Sequence, residues 1–150
     1  MTSSSSPETY PAGILTDAPA MGEPTASSLL AEAQLVANHY HQDRVAAAAH
    51  WVKQGLTEFQ QGQHTAALAL MHQALRSYRN LSDQEREGKV LLLLAGFYYQ
   101  GADYLWAADY GRQCLQIARL MADGALMQQA LDHLGNSYRH LGNLQKRSTT

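Results

Sequence analysis

The sequence predicts an all-α fold of about six antiparallel helices stacked as a solenoid. Three observations lead to this expectation. Positions of several kinds recur every 40 residues: Gly55, Ala95 and Gly135; Gly62, Ala102 and Gly142; Leu35, Leu75 and Leu115; Asp43, Asp83 and Asp123. A fixed period of this length marks a repeat architecture, in which one supersecondary unit is copied along the chain. Between these marks, apolar residues fall three and four apart, the spacing of a single helix face. Finally, the four prolines, Pro7, Pro11, Pro19 and Pro24, all precede the periodic region, so none of them interrupts a helix there.

Residues 1–24 read as a disordered tail rich in serine, proline and glycine, with Ile14, Leu15 and Met21 as its apolar exceptions. The helical repeat domain is expected over 25–144, followed by a polar tail at 145–150. Its first helix, Thr25–Tyr40, has Leu29, Leu30, Ala33, Val36 and Ala37 on one side, and Ser27 or Ser28 to cap it. A second helix opens at Asp43 and runs to about Gln61, with Trp51, Gly55 and Phe59 on its apolar surface; Gly62 closes it. The third, His64–Asn80, buries Ala67, Met71, Ala74 and Tyr78. Ser82 and Glu85 suit a capping box for the fourth, which reaches Gln100. Asp103 caps the fifth and Asp123 opens the sixth, which Gly142 closes. The connections are two to three residues long, so neighbouring helices run antiparallel, and pairs repeating at a fixed period stack on one another.

With 150 residues, 45% hydrophobic and 16% charged, the chain suits one domain. A net charge of −2 argues against a nucleic-acid surface, which needs a basic stripe. The single Cys114 has no partner for an internal disulfide, which fits a reducing, cytoplasmic setting. No apolar run is long enough for a membrane span, and the first residues lack the pattern of a signal peptide. Seven histidines invite a metal. His39 and His41 diverge on one helix, however, and His133 and His140 lack the third and fourth ligands that zinc requires. No phosphate loop, catalytic triad pattern or nucleophile elbow is visible, so neither cofactor nor catalysis is expected. Cys114 reads as a small packing residue. Trp106 falls off the buried positions and is expected at the surface.

On these residues the chain resembles the tetratricopeptide repeat family. Trp51, Gly55, Gly62, Ala67, Met71 and Ala74 match the motif in a first copy. Leu91, Leu94-Ala95, Tyr98, Asp103-Tyr104, Ala107 and Cys114 match in a second. Leu131, Leu134-Gly135, Tyr138 and Gly142-Asn143 match in a third. The usual unit is about 34 residues and the motif's closing proline is missing here, so the resemblance is to a longer-period class. HEAT and armadillo repeats have periods of about 40–47 residues, but the Trp/Gly/Tyr/Ala spacing fits them less well.

The resemblance implies a right-handed superhelix whose concave face, lined by first helices, binds a peptide or protein surface. It places on that face Lys53, Leu56 and Gln60; then Lys89, Leu92, Gly96, Tyr99 and Gln100; then Asp132, His133, Asn136, Arg139 and His140. The last set could take a peptide carboxylate or backbone. Val52 and Leu56 stand where the family's clamp for chaperone tails needs polar groups, so that ligand is not expected. The implied role is a non-catalytic adaptor, scaffold or assembly factor. The alternative is a structural subunit held through its terminal helices. For that role Leu131, Leu134, Tyr138, Leu141 and Leu144 form a stripe suited to a partner or to a homodimer through the last helix.

Overall fold

A computed structural model describes residues 22–148, and every regular element among them is helical. Among the described residues there are five helices, not six: α1 (Ala26–Gln60), α2 (His64–Asn80), α3 (Gln84–Gln100), α4 (Tyr104–Leu120) and α5 (Gly124–Ser148). The fold is all-α. The first two expected helices are one continuous helix of 35 residues, with no turn at Gln42-Asp43. At the other end α5 continues through Gly142 to Ser148. Ile14, Leu15 and Met21 lie outside the described residues.

The chain divides into two compact units, residues 1–39 and 40–150. In the first, the described part is helical from Ala26, and its start is capped by Thr25 rather than Ser27 or Ser28. The Ser28 N–H donates to Thr25 Oγ1 at 3.2 Å, and the Ser28 hydroxyl donates to the Thr25 carbonyl at 2.9 Å. Leu29, Leu30, Ala33, Val36 and Ala37, expected to be buried, are all exposed. The 40-residue register supplies the reason. Where α2 buries Ala67, Ala74 and Tyr78, this segment carries Ser27, Gln34 and Asn38. A helix folded back in that register would bury amides and a hydroxyl without partners, which costs more than it returns. Gln34 Nε2 instead donates along the helix to Asn38 Oδ1 at 3.1 Å.

In the second unit, four turns fall every 20 residues, at half the period seen in the sequence. Gly62, Ser82, Ala102 and Ala122 take left-handed backbone angles, with φ of 80°, 54°, 59° and 53°. Each turn makes the same two hydrogen bonds. The N–H after the left-handed residue reaches the carbonyl five positions back, as in Gln63 to Glu58 at 2.8 Å and Asp103 to Tyr98 at 2.9 Å. The left-handed residue's own N–H reaches three positions back, as in Gly62 to Phe59 at 3.1 Å. This is the Schellman closure of a helix C-terminus. The next helix starts at once, capped by an aspartate in three of the four turns. Asp83, Asp103 and Asp123 accept from the backbone N–H of Arg86, Trp106 and Leu126. Ser82 is therefore not the cap of α3: it occupies the left-handed position and Asp83 takes the role.

Helix α3 packs against α2 and α4, and α5 packs against α4 and also directly against α3. The core joins Met71 and Leu75 of α2, Val90, Leu91 and Leu94 of α3, Cys114 and Ile117 of α4, and Leu126, Ala130 and Leu134 of α5. Gly55 of α1 meets α2 where close approach was expected: a Cβ there would lie 3.0 Å from Met71 Cε and 3.3 Å from the Ala67 carbonyl oxygen. Ala95, its counterpart in α3, is fully buried. Gly135, the third member of the series, has open space around it, because no described helix lies on that side.

Candidate binding groove

The groove is built on α1, α3 and α5, the helices expected to carry the binding face. Leu56, Phe59 and Gln60 of α1 form one wall, continued by Gly62 and His64 across the turn. Leu92, Leu93, Gly96, Phe97 and Gln100 of α3 form the other, and His133 of α5 reaches in over Gly96. The volume of this open groove is about 690 Å³, within the range that holds a small ligand or a few peptide side chains. Its aromatic side is a three-ring stack. Phe59 lies on Phe97 with centroids 4.0 Å apart and planes 5° apart, and His64 covers the outer face of Phe59 at 4.5 Å.

Among the described residues no aspartate, glutamate, lysine or arginine lines this groove. Its polar groups are two amides, Gln60 and Gln100, and two imidazoles, His64 and His133. Burial, its largest influence, holds His133 below the ordinary imidazole pKa of 6.5, against the opposing pull of Asp132. His133 is therefore neutral at physiological pH. The groove offers apolar surface, two amides and the neutral imidazole of His133 and, among the described residues, no lysine or arginine to pair with a carboxylate.

Of the residues expected on this face, Leu56, Gln60, Leu92, Gly96, Gln100 and His133 are brought together here. Tyr99 and His140 meet beside it but engage each other, Tyr99 Oη lying 3.0 Å from His140 Nε2. The His140 ring stacks on Tyr104 at 4.4 Å, and Tyr99 stands edge-on to both Tyr104 and His133. Lys89 lines a separate cleft of about 200 Å³ with Val52, Tyr78 and Arg86, and its ammonium pairs with Glu85 at 3.3 Å. Lys53, Asp132 and Arg139 are exposed and Asn136 is half-buried; none of them lines the groove. Phe59, Leu93, Phe97 and His64 were missed as site residues. The sequence holds only two phenylalanines, 38 positions apart and so out of the 40-residue register that marks the other positions.

On the last helix, Leu131, Tyr138 and Leu144 are about half exposed and Leu141 is partly covered. Leu134 is withdrawn from that stripe: it is buried against Gly111, where a Cβ would lie 3.1 Å from Leu134 Cγ. Tyr138 Oη accepts from Arg112 Nη1 at 2.8 Å. A second aromatic cluster joins α2, α3 and α4. His72 Nε2 lies 3.1 Å from Tyr98 Oη, Tyr98 stacks on Tyr110 at 5.4 Å, and Trp106, half exposed as expected, stacks on Tyr110 at 6.1 Å.

Cys114 is buried, and its thiol donates to the Gly88 carbonyl at 3.3 Å. Burial pushes its pKa up to about 11, so it is a packing group and not a thiolate. Among the described residues no helix is long and apolar enough to cross a membrane, and no three His, Cys, Asp or Glu side chains converge on a metal position. Comparison with protein-family models, with curated proteins and with solved structures finds no match.

Proposed function

We propose that this chain is a tetratricopeptide-like solenoid that binds an apolar, uncharged segment of a partner protein in the groove between α1, α3 and α5. It acts as an adaptor or assembly factor, without catalysis, in a reducing cytoplasmic compartment. The carrying observation is the groove's lining, apolar and aromatic with neutral polar groups at Gln60, Gln100 and His133. A partner inserts aliphatic or aromatic side chains between Leu56, Leu92 and the Phe59–Phe97 stack, and the two glutamines hydrogen-bond its backbone. Charged segments are disfavoured, since they would give up water without gaining a counter-ion. The 20-residue spacing of like turns and the direct contact of α3 with α5 support the solenoid.

Selection of a displayed peptide library on the immobilised protein tests this. Uncharged apolar sequences should be enriched on the native protein, lost on Leu92→Glu, and retained on the double variant Lys53→Glu, Arg139→Glu. Enrichment of acidic or basic peptides, or enrichment indifferent to Leu92→Glu, would reject the groove as the site.

The half-exposed Leu131, Tyr138 and Leu144 favour a second reading, in which α5 docks permanently on a larger complex or on a second copy. Stoichiometric co-purification lost in Leu131→Lys, Leu144→Lys, with α2–α4 still folded, would support that role in place of the adaptor.

A further inference from the structure

The N-terminal part of α1 carries an apolar stripe that faces solvent. Leu29 is 50%, Leu30 71% and Val36 69% exposed, and Ala33 and Ala37 are exposed beside them. These five positions advance by one, three, three and one, which keeps them on one side of a helix. The rest of the helix surface carries Ser27, Gln34 and Asn38, the last two joined by a hydrogen bond along the helix, and one exposed apolar residue, Leu35. Residues 26–38 contain a single charged side chain, Glu32. In proteins most helical stability comes from packing of an apolar face and not from propensity.

We propose that this stripe pairs with the same stripe of a second copy of the chain, antiparallel, about a two-fold axis at Ala33. Side-chain size selects the arrangement. With Ala33 on the axis, Leu30 faces Val36 and Leu29 faces Ala37, so larger groups meet smaller ones and two alanines meet where the helices approach most closely. Glu32 then lies beside Gln34 of the other copy. In a parallel pair, Leu30 would meet Leu30, Ala37 would meet Ala37 with a void between, and the two Glu32 carboxylates would stand at one level. A two-fold contact uses one patch twice and closes on itself, so it yields a dimer and not a filament. Shortage of charge also selects the occupant: with one carboxylate, the stripe gives a strongly charged partner nothing to pair with, whereas it matches its own apolar surface.

Analytical ultracentrifugation of the full chain, from about 1 μM to about 1 mM, tests the pairing. The weight-average mass should rise from 16.5 kDa towards twice that value. The Leu30→Glu, Val36→Glu variant should stay monomeric over the same range, with unchanged helical circular dichroism, since both side chains are exposed. Orientation is tested with single cysteines and a short bis-maleimide; the buried Cys114 does not interfere. Ala33→Cys should cross-link efficiently. Leu29→Cys should not, because antiparallel pairing offsets the two copies of residue 29 by about 12 Å along the axis. A monomer at every concentration overturns the proposal and leaves the stripe to residues 1–21 or to another protein. A dimer that survives Leu30→Glu, Val36→Glu overturns it and moves the contact, to α5 if Leu131→Lys then abolishes it. Efficient cross-linking through Leu29→Cys overturns the antiparallel register.

Discussion

The four like turns allow the backbone cost of this fold to be measured almost free of packing effects. Ala102 and Ala122 hold φ of 59° and 53°, and both side chains are exposed. A left-handed conformation costs an L-residue about 1–2 kcal/mol, because Cβ crowds the following carbonyl. Glycine escapes that cost, but its greater freedom in the unfolded chain takes back about 0.4–1 kcal/mol. Ala102→Gly and Ala122→Gly should therefore each stabilise by about 0.5–1 kcal/mol, and the turns are far enough apart for the effects to add. For a domain of this size the double variant should melt roughly 3–8 °C higher. Gly62→Ala should do the reverse by a similar amount: nothing lies within 4 Å of its Cβ position, so only the φ of 80° opposes the change. The internal control is Ala69→Gly, exposed in the middle of α2, which should destabilise by about 0.5–1 kcal/mol. Thermal and urea unfolding followed at 222 nm would give all four values. If Ala102→Gly destabilises as Ala69→Gly does, the left-handed turns are not a source of strain and the reasoning fails.

Three further outcomes follow from the core and the histidines. A Cβ at Gly88 would lie 2.9 Å from Leu126 Cδ2 and 3.2 Å from Ile117 Cγ2, so Gly88→Ala should destabilise by about 1–2 kcal/mol. Adding Leu126→Ala should cost less in that background than in the native protein, as a double-mutant cycle would show. Burial holds the imidazoles of His72 and His133 below 6.5, aided at His72 by Arg76 and Arg79. As pH falls, the unfolded chain therefore takes up protons before the folded one. The stability these histidines contribute is full above pH 6.5 and is lost as pH falls through their lowered values. The urea midpoint should drop between about pH 7.5 and about pH 5.5, and drop less in His72→Gln, His133→Gln. Cys114, buried with its thiol pushed to about 11, should react with a chromogenic disulfide only as fast as the chain opens; rapid labelling of the native protein would contradict its placement.

How much was legible from the sequence depended on how local each cause was. Helix class, the ends of α2, and the caps at Asp103 and Asp123 could be read directly, because turn chemistry acts within five or six residues. The same local rule misjudged Ser82, since aspartate next to it caps as well and leaves serine free for the left-handed position. In the groove, Leu56, Gln60, Leu92, Gly96, Gln100 and His133 were legible from the register of the first helices. Phe59 and Phe97 were not, because their stacking depends on how α1 and α3 slide past one another and no periodicity records it.

The sequence by itself determined that this chain is helical, that it repeats, and where its inner turns fall. A small residue at each turn (Gly62, Ser82, Ala102, Ala122), followed in three of the four by aspartate, marks these places locally, although only Gly62 takes the left-handed angle without strain. Tertiary structure alone decided whether the turn positions at Gln42 and Gly142 would be used. A left-handed turn costs free energy, and the chain accepts it only where the helix that follows can bury an apolar face. On the face that the 40-residue register would bury, the segment before Gln42 carries Ser27, Gln34 and Asn38, and at Gly142 the backbone stays helical through Ser148. At both places the helix continues into solvent instead.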